Sequence, residues 1–554
     1  MICQKVIKTT KCHTSENSLF RSHKTTRAQK LDQFRLSAKA DNNIRNDAIE
    51  ARLPADPDRR LFNSDFAPTL IAGRHWGVQD YASFWVTLVI SIPTYLLASS
   101  LVDLGMSWVQ GVGTVLLGNA ITLIPMVLNA HPGTKYGIPF PVLARASFGI
   151  HGAKLPSLSR AFVACGWFGI QTWIGGSCLH QMISTICPGL TGVVPYLAAL
   201  GLSADQLACF IAFWVLQVSI VLRGMESIRD LEKYSAPLLV ALSLALLAWA
   251  LTTAGGFGPM LSAPSQFGHG MPKEGQFLAV LLPAVTANVG FWGTLSLNIP
   301  DFTRFARSQR DQMLGQALGL PLFMALFTFL GLAVTSATVV IYGHPITDPV
   351  QLISKLEGLA PICLSLFGLM WATLTTNIAA NVVAPANAFV NMAPQRISFN
   401  LGATITALIG LVIMPWKLIS SSSGFITWLV GYSALLGPVI GVVMSDYWIV
   451  RRTVLDIDSL YTYGTKGQYW YQGGWNIKAI LATTAGIIPT LPGFLCTIGL
   501  INCVHPTLMA IYDGAWFVGV LISSITYSLM MSPHIHKYPQ ANLDSGGLSE
   551  SPAT

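Results

Sequence analysis

Charge is what this chain has least of. Only 10% of its 554 residues are Asp, Glu, Lys or Arg, where a soluble protein carries about a quarter. An ordinary soluble fold is excluded. The groups that make and break bonds are also missing. The nine cysteines, at 3, 12, 165, 178, 187, 209, 363, 496 and 503, form no CxxC pair. They read as small apolar residues rather than metal ligands or a disulfide framework. No GxxxxGK[ST] run is present to cradle a nucleotide phosphate, and no HExxH or nucleophile elbow occurs. An integral-membrane enzyme would need paired titratable groups at depth, and Asp103 and His180 stand isolated. The expectation is no enzyme and no cofactor.

Apolar sequence takes the place of charge. Hydrophobic residues make up 52% of the chain, and its mean hydropathy is +0.53. From Tyr81 to Val102 there are 22 residues without one acid or base; a helix rising 1.5 Å per residue needs roughly 20 to cross the hydrocarbon layer. Comparable windows recur near 108–130, 158–182, 207–222, 234–256, 278–299, 315–341, 360–390, 401–415, 424–445, 479–500 and 509–531. The expected fold is an all-α polytopic membrane protein of about 12 transmembrane helices. It occupies 61–533, between an N-terminal tail (1–60) and a polar C-terminal tail (534–554). With the N-terminus inside, 15 Lys and Arg fall in inner loops and 3 in outer ones. This is the asymmetry of the positive-inside rule, and it puts both termini inside.

Residues 1–40 hold nine Lys/Arg against Glu16 and Asp32, with nine Ser/Thr interspersed. Basic, hydroxyl-rich and acid-poor is the composition of an organellar transit peptide; a cytosolic tail is the plainer alternative. Aromatics hardly interleave the basic run, so no nucleic-acid partner is expected.

Two apolar stretches are written so that a helix breaks. Ser91-Ile92-Pro93 interrupts the first window. In the sixth, Gly290 and Gly293 flank Trp292, and Pro300 follows. Proline removes a backbone donor and glycine admits non-helical torsions, and unwound backbone at membrane depth survives only where it lines a protein cavity. The two breaks lie five windows apart, in matching positions of two five-helix halves. An odd number per half forces the halves to be inverted, and broken helices at such a repeat mark a transporter's binding site. The alternative is that these are simple kinks and close-packing points.

Polar and aromatic side chains cluster in two further windows. The third reads CGWFGIQTWIGG (165–176), with Trp167 and Gln171 at i, i+4. The eighth reads WATLTTNIAANVVAPAN (371–387), with Asn377 and Asn381 at the same spacing. Indoles suit the face of a flat heterocycle, and Gln and Asn amides suit the edge of a nucleobase or cyclic ureide. Thr375 and Thr376 offer oxygens to a small cation. Asp301 is placed to cap the turn after Pro300.

LNIPDFTRFARSQRDQ (297–312), YGIPFPVLARASFG (136–149), RGMESIRDLEKYSAP (223–237), TTNIAANVVAPANAFVN (375–391) and GYSALLGPVIGVVMSDYW (431–448) resemble the nucleobase–cation symporter-1 family, above all its plant plastid-type members. The resemblance implies the LeuT-type 5+5 inverted repeat with helices 1 and 6 broken, and purines, uracil or ureides as substrates. It implies Trp167 and Trp292 as stacking plates, Gln171 and Asn381 as polar contacts, and Phe291 and Pro93 lining the substrate. It places a cation at the backbone of Val89 and Ile92, the Ala372 carbonyl and the Thr375 and Thr376 hydroxyls. Position 93 is Pro where some bacterial relatives carry an amide, and position 171 is Gln where many plant members carry Glu.

The function expected is secondary, cation-coupled transport of nucleobases such as adenine, guanine and uracil by alternating access, with an allantoin- or hydantoin-type ureide permease as the alternative. A channel or an integral-membrane enzyme are the rivals. The coupling ion stays open between H⁺ and Na⁺. The threonines suit sodium, whereas the plant likeness suits protons, yet neither the stretch around Val89 and Ile92 nor that around Thr375 and Thr376 holds a carboxylate. A plastid or chloroplast envelope is the expected membrane, the plasma membrane the alternative.

Overall fold

The computed structural model describes residues 52–535 apart from 192–194, 419–421 and 503–504. The expected transit peptide, up to residue 51, and residues 536–554 of the polar tail lie outside the described residues. Packed structure starts slightly ahead of residue 61: Asp58 N donates to Tyr461 O (2.9 Å), and the Arg60 guanidinium lies 3.5 Å above the Tyr463 ring.

Helix follows helix. The first span is two pieces, α1 (Val78–Val89) and α2 (Ile92–Asp103), bent by 69° at their junction. Then come α3 (Trp108–Tyr136), α4 (Phe140–Phe148), α5 (Lys154–Ile186), α6 (Ala204–Val221), α7 (Met225–Ala254) and α8 (Phe277–Gly293). A seventh span is α9 (Gln309–Ala317) joined to α10 (Phe323–Tyr342) through a π turn, Leu318–Leu322, that holds Pro321. The eighth is α11 (Leu359–Asn381) and α12 (Val383–Met392). The remaining long helices are α13 (Phe399–Val412), α14 (Ser422–Met444), α15 (Ile477–Ile487) and α16 (Ala515–Ile535).

All twelve expected windows are helical. Among the described residues, nine helices are long and apolar enough to cross a membrane, ten with the bent first pair. The other two windows fall short for different reasons. Helix α13 is only 14 residues long. Helix α5 has 33 residues, but its sequence mixes Arg160, Gln171, His180 and Gln181 with its apolar residues. The most extensive helix contact runs between α5 and α11, followed by α14 against α16. The first pair carries the polar site.

The two breaks differ. At the first, Ile90 (ψ 85°) and Ser91 (φ −149°, ψ 156°) leave the helical region, and Ser91 Oγ caps α2 by accepting from Thr94 N (3.4 Å). Thr87 O has lost its Ser91 donor four residues on, and Thr376 Oγ1 on α11 donates to it instead (3.1 Å). The sixth span is interrupted without unwinding. Helix α8 stops at Gly293 and resumes as single turns, Leu295–Asn298 and Pro300–Thr303, while Thr294 and Ile299 keep right-handed torsions. The break is milder than its glycines and proline suggest, because neighbours take up the loss. Pro300 has no N–H for Ser296 O, and Asn129 Nδ2 on α3 donates there (2.5 Å) and to Leu297 O (2.9 Å). The glycines serve close approach: a Cβ on Gly290 would lie 2.7 Å from Ser433 Oγ, and one on Gly293 2.9 Å from Trp516 Nε1.

Candidate substrate and cation site

A small cavity opens where the first break meets α5, α8 and α11. Trp167, Gln171, Phe291, Trp292, Asn381 and Thr376 all line it, joined by Ser91, Arg160, Thr294, Leu295 and Ala380. Five of the six expected substrate contacts are thus together. Pro93 is the exception: it is buried at the second position of α2, but Ser91 is the residue of that break on the cavity wall.

The aromatic wall is braced edge-on. Trp167 and Phe291 meet at 6.0 Å between ring centroids, and Phe291 and Trp292 at 5.0 Å, both T-shaped. Behind Trp292 stands Trp85, perpendicular at 5.5 Å, and the indole N–H of Trp292 points to Met324 Sδ (3.4 Å). These contacts fix the rings before any ligand arrives, which lowers the ordering cost of stacking on them.

The two amides are in different states. Gln171 is buried, and its Oε1 has no hydrogen-bond partner among the described residues. A buried, unpaired acceptor on a cavity wall is a ready partner for a ligand N–H. The amide of Asn381 is already engaged: its Nδ2 donates to Asn377 Oδ1 (3.0 Å). Asn377 in turn donates to Gln217 Oε1 (2.7 Å), Phe168 O (3.0 Å) and Thr172 Oγ1 (3.1 Å). This network ties α11 to α5 and α6. It leaves Asn381 its carbonyl oxygen and its second amide proton for a ligand, so the donor-plus-acceptor edge read from the sequence remains, with one of its two N–H groups tied inward.

Beside the cavity lie the expected cation ligands. Val89, Ile92, Ala372, Thr375 and Thr376 are all buried. The Thr375 hydroxyl donates to Ala372 O (2.9 Å), and that of Thr376 to Thr87 O. Each hydroxyl proton is thereby directed to a carbonyl, leaving oxygen lone pairs as donors for a cation. The oxygens of this set are all neutral, a set a small hard cation accepts when helix-end dipoles assist.

Two charged residues at this site were not legible as such. Arg160, counted from the sequence as an inner-loop base, is buried on α5, with Nε donating to Asn298 Oδ1 (2.8 Å) and Nη2 to Ala380 O (3.0 Å). Glu232 is buried on α7 and accepts from the Thr87 hydroxyl. Two sequence candidates prove peripheral. His180 pairs with Asp205 (2.9 Å) at the start of α6 and is not on the cavity wall. Asp301 caps a different element from the one expected: its Oδ1 accepts from Phe140 N (3.0 Å), at the start of α4.

Residues 69–519 match the family described as permeases for cytosine/purines, uracil, thiamine and allantoin. The chain belongs to this permease family. It is 49% identical over 482 residues to the purine-uracil permease NCS1 of Arabidopsis thaliana, covering 86% of this chain and 78% of that one. To the allantoin permease of Bacillus subtilis it is 39% identical over 475 residues, covering 86% and 94%. Among solved structures, it resembles Mhp1, a nucleobase-cation-symport-1 family transporter, in a closed conformation with bromovinylhydantoin bound. The TM-score is 0.71 at 24% identity, with 87% of this chain and 97% of that one covered; the inward-facing conformation of Mhp1 gives 0.67 at 23%. The permease shares the Mhp1 fold and is an integral, multi-pass membrane protein that transports rather than transforms.

Proposed function

We propose that this permease is a symporter of nucleobases, with adenine, guanine and uracil as the substrate class, driven by a cation through alternating access around the cavity. The observation that carries the reading is one cavity lined by two indoles and a phenylalanine together with the amides of Gln171 and Asn381. A flat heterocycle stacks on the rings and turns its N–H edge to Gln171 Oε1 and Asn381 Oδ1. Trp167, Gln171, Phe291, Trp292 and Asn381 are its contacts, with Pro93 supporting the turn that presents Ser91. Names of the plant and bacterial relatives span purines, uracil and allantoin; allantoin and hydantoin-type ureides present the same kind of N–H edge and are the second reading. The two halves, α1 to α7 and α8 to α14, are taken as the inverted repeats that rock against each other. Val89, Ile92, Ala372, Thr375 and Thr376 form the cation site, and protons drive the transport.

The deciding experiment is uptake of a labelled nucleobase panel in transporter-deficient cells, with pH and sodium gradients imposed separately. Saturable uptake of unchanged substrate, abolished by an uncoupler and unaffected when choline replaces sodium, is expected. Uptake that stops on sodium replacement and ignores the uncoupler would refute the proton assignment; uptake that never saturates would indicate a channel.

The plastid envelope is the proposed membrane of residence, supported by the basic, Ser/Thr-rich residues 1–60 and the likeness to a plant relative. Residues 1–60 fused to a fluorescent protein should carry it into plastids. A reporter left in the cytosol, with the full-length permease at the cell surface, would overturn this.

A further inference from the structure

Among the described residues, Glu232 is the one carboxylate hydrogen-bonded to Thr87, two residues before the cation-site residue Val89. It lies on α7 with 2% exposure. Its Oε2 accepts from Thr87 Oγ1, and its Oε1 has no hydrogen-bond partner among the described residues. A carboxylate at membrane depth is costly unless it is paired or neutral, and among the described residues Glu232 is in no ion pair. Thr87 sits one turn before the first break, and its carbonyl oxygen holds the Thr376 hydroxyl (3.1 Å), which lines the substrate cavity. Glu232 is therefore two hydrogen-bonded residues away from the substrate.

The contacts of Thr87 allow the pair to exist with or without an extra proton. Its single hydroxyl proton faces three acceptors: Glu232 Oε2, Phe84 O (2.9 Å) and Ser83 O (3.1 Å). With Glu232 ionised, the hydroxyl donates to the carboxylate. With Glu232 protonated, the carboxyl donates to Thr87 Oγ1 while the hydroxyl turns to Phe84 O. Both states satisfy every proton without moving a heavy atom.

The charged and titratable groups on the surrounding helices leave Glu232 unpaired. On α1, Asp80 is held by Arg229 (3.1 Å) and the Tyr81 hydroxyl donates to Phe302 O (3.2 Å). Helix α10 offers only Tyr342 and α11 only Cys363; α6 has Asp205, paired with His180, and Cys209. On α7 itself, Glu226, Arg229, Asp230, Lys233 and Tyr234 share no hydrogen bond or ion pair with it.

We infer that Glu232 is the proton-carrying group of this permease, linked through Thr87 and Thr376 to the occupancy of the substrate cavity. This rests on the symport reading above. A proton from water on one side forms the O–H bond of Glu232; that bond breaks to water on the other side after the helices have rocked. Coupling requires the protonated and ionised forms to favour different conformations, and the relay, which joins α7 to α1 and α11, is where rocking of the helices would create that difference.

The test is proton-driven accumulation by the full-length permease in vesicles. For one proton per substrate, a gradient of one pH unit sustains about tenfold accumulation. In Glu232→Gln that ratio should fall to about one and lose its dependence on the uncoupler. Exchange of labelled for unlabelled substrate, which moves no net proton, should persist at a reduced rate. Glu232→Asp should recover accumulation in part, with a shifted pH profile. Accumulation by Glu232→Gln that remains uncoupler-sensitive overturns the assignment, and so does loss of exchange in both variants with normal protein levels, which marks a structural role. Failure of the wild-type chain to take up any nucleobase counts instead against the substrate reading.

Discussion

Trp167→Ala and Trp292→Ala should each abolish high-affinity uptake while leaving the permease in the membrane. Stacking of a base on an aromatic ring is worth about 1–3 kcal/mol, which corresponds to about 5- to 150-fold in affinity. The losses should differ in kind. Trp167 meets Phe291 edge-on and interacts with the buried Tyr432 hydroxyl, so its removal takes away a ligand surface and one contact to α14. Trp292 also stands against Trp85 and reaches Met324, so its truncation leaves a cavity and loosens the seventh span. Trp292→Phe restores a ring and part of that packing, and it should recover more uptake than Ala does. Competition by unlabelled substrate in intact cells, with quantified membrane protein, measures both. Wild-type affinity in both alanine variants would refute stacking as the basis of recognition.

How far the sequence could be read depended on whether the partners of a residue were near or far along the chain. The first break was legible because its cause is local: a serine cap and a proline within three residues of each other. The sixth was overdrawn, since the donor replacing the lost one at Pro300 comes from Asn129, and the surfaces that demand Gly290 and Gly293 are Ser433 and Trp516. None of these is visible in the stretch itself. Spacing at i, i+4 put Trp167 beside Gln171 and Asn377 beside Asn381, and these pairs do face the cavity and its supporting network. It could not tell that the amide of Asn381 donates inward. Charge-free windows hid Glu232 for a geometric reason: α7 starts at Met225, well ahead of the window at 234, so its first turns look like loop. The buried guanidinium of Arg160 was lost to the same habit of assigning bases to loops.

Asn377→Ala should unfold what Asn381→Ala merely weakens. Asn377 is fully buried, and its amide is the junction of α11 with α5 and α6. Two amide protons are shared among Gln217, Phe168 and Thr172, and its oxygen receives Asn381. Interhelical hydrogen bonds in membranes are worth about 0.6–1.7 kcal/mol each, so losing the two to three that the Asn377 amide makes costs about 1–5 kcal/mol. The upper end of that range is a large part of the 5–15 kcal/mol by which a typical folded protein is stable, roughly speaking. Alanine also strands the Gln217 oxygen in a site that water does not reach, which adds to the cost. The Asn381 substitution removes one internal bond and a ligand acceptor, so its effect belongs to affinity. Thermal stability of the detergent-purified variants, followed by size-exclusion chromatography, separates the two. Asn377→Ala should shift to clearly lower temperature or fail to accumulate, and Asn381→Ala should stay close to wild type with weakened uptake of every substrate. An Asn377→Ala permease of wild-type stability would mean that the network orders the amides for the ligand rather than holding the helices together.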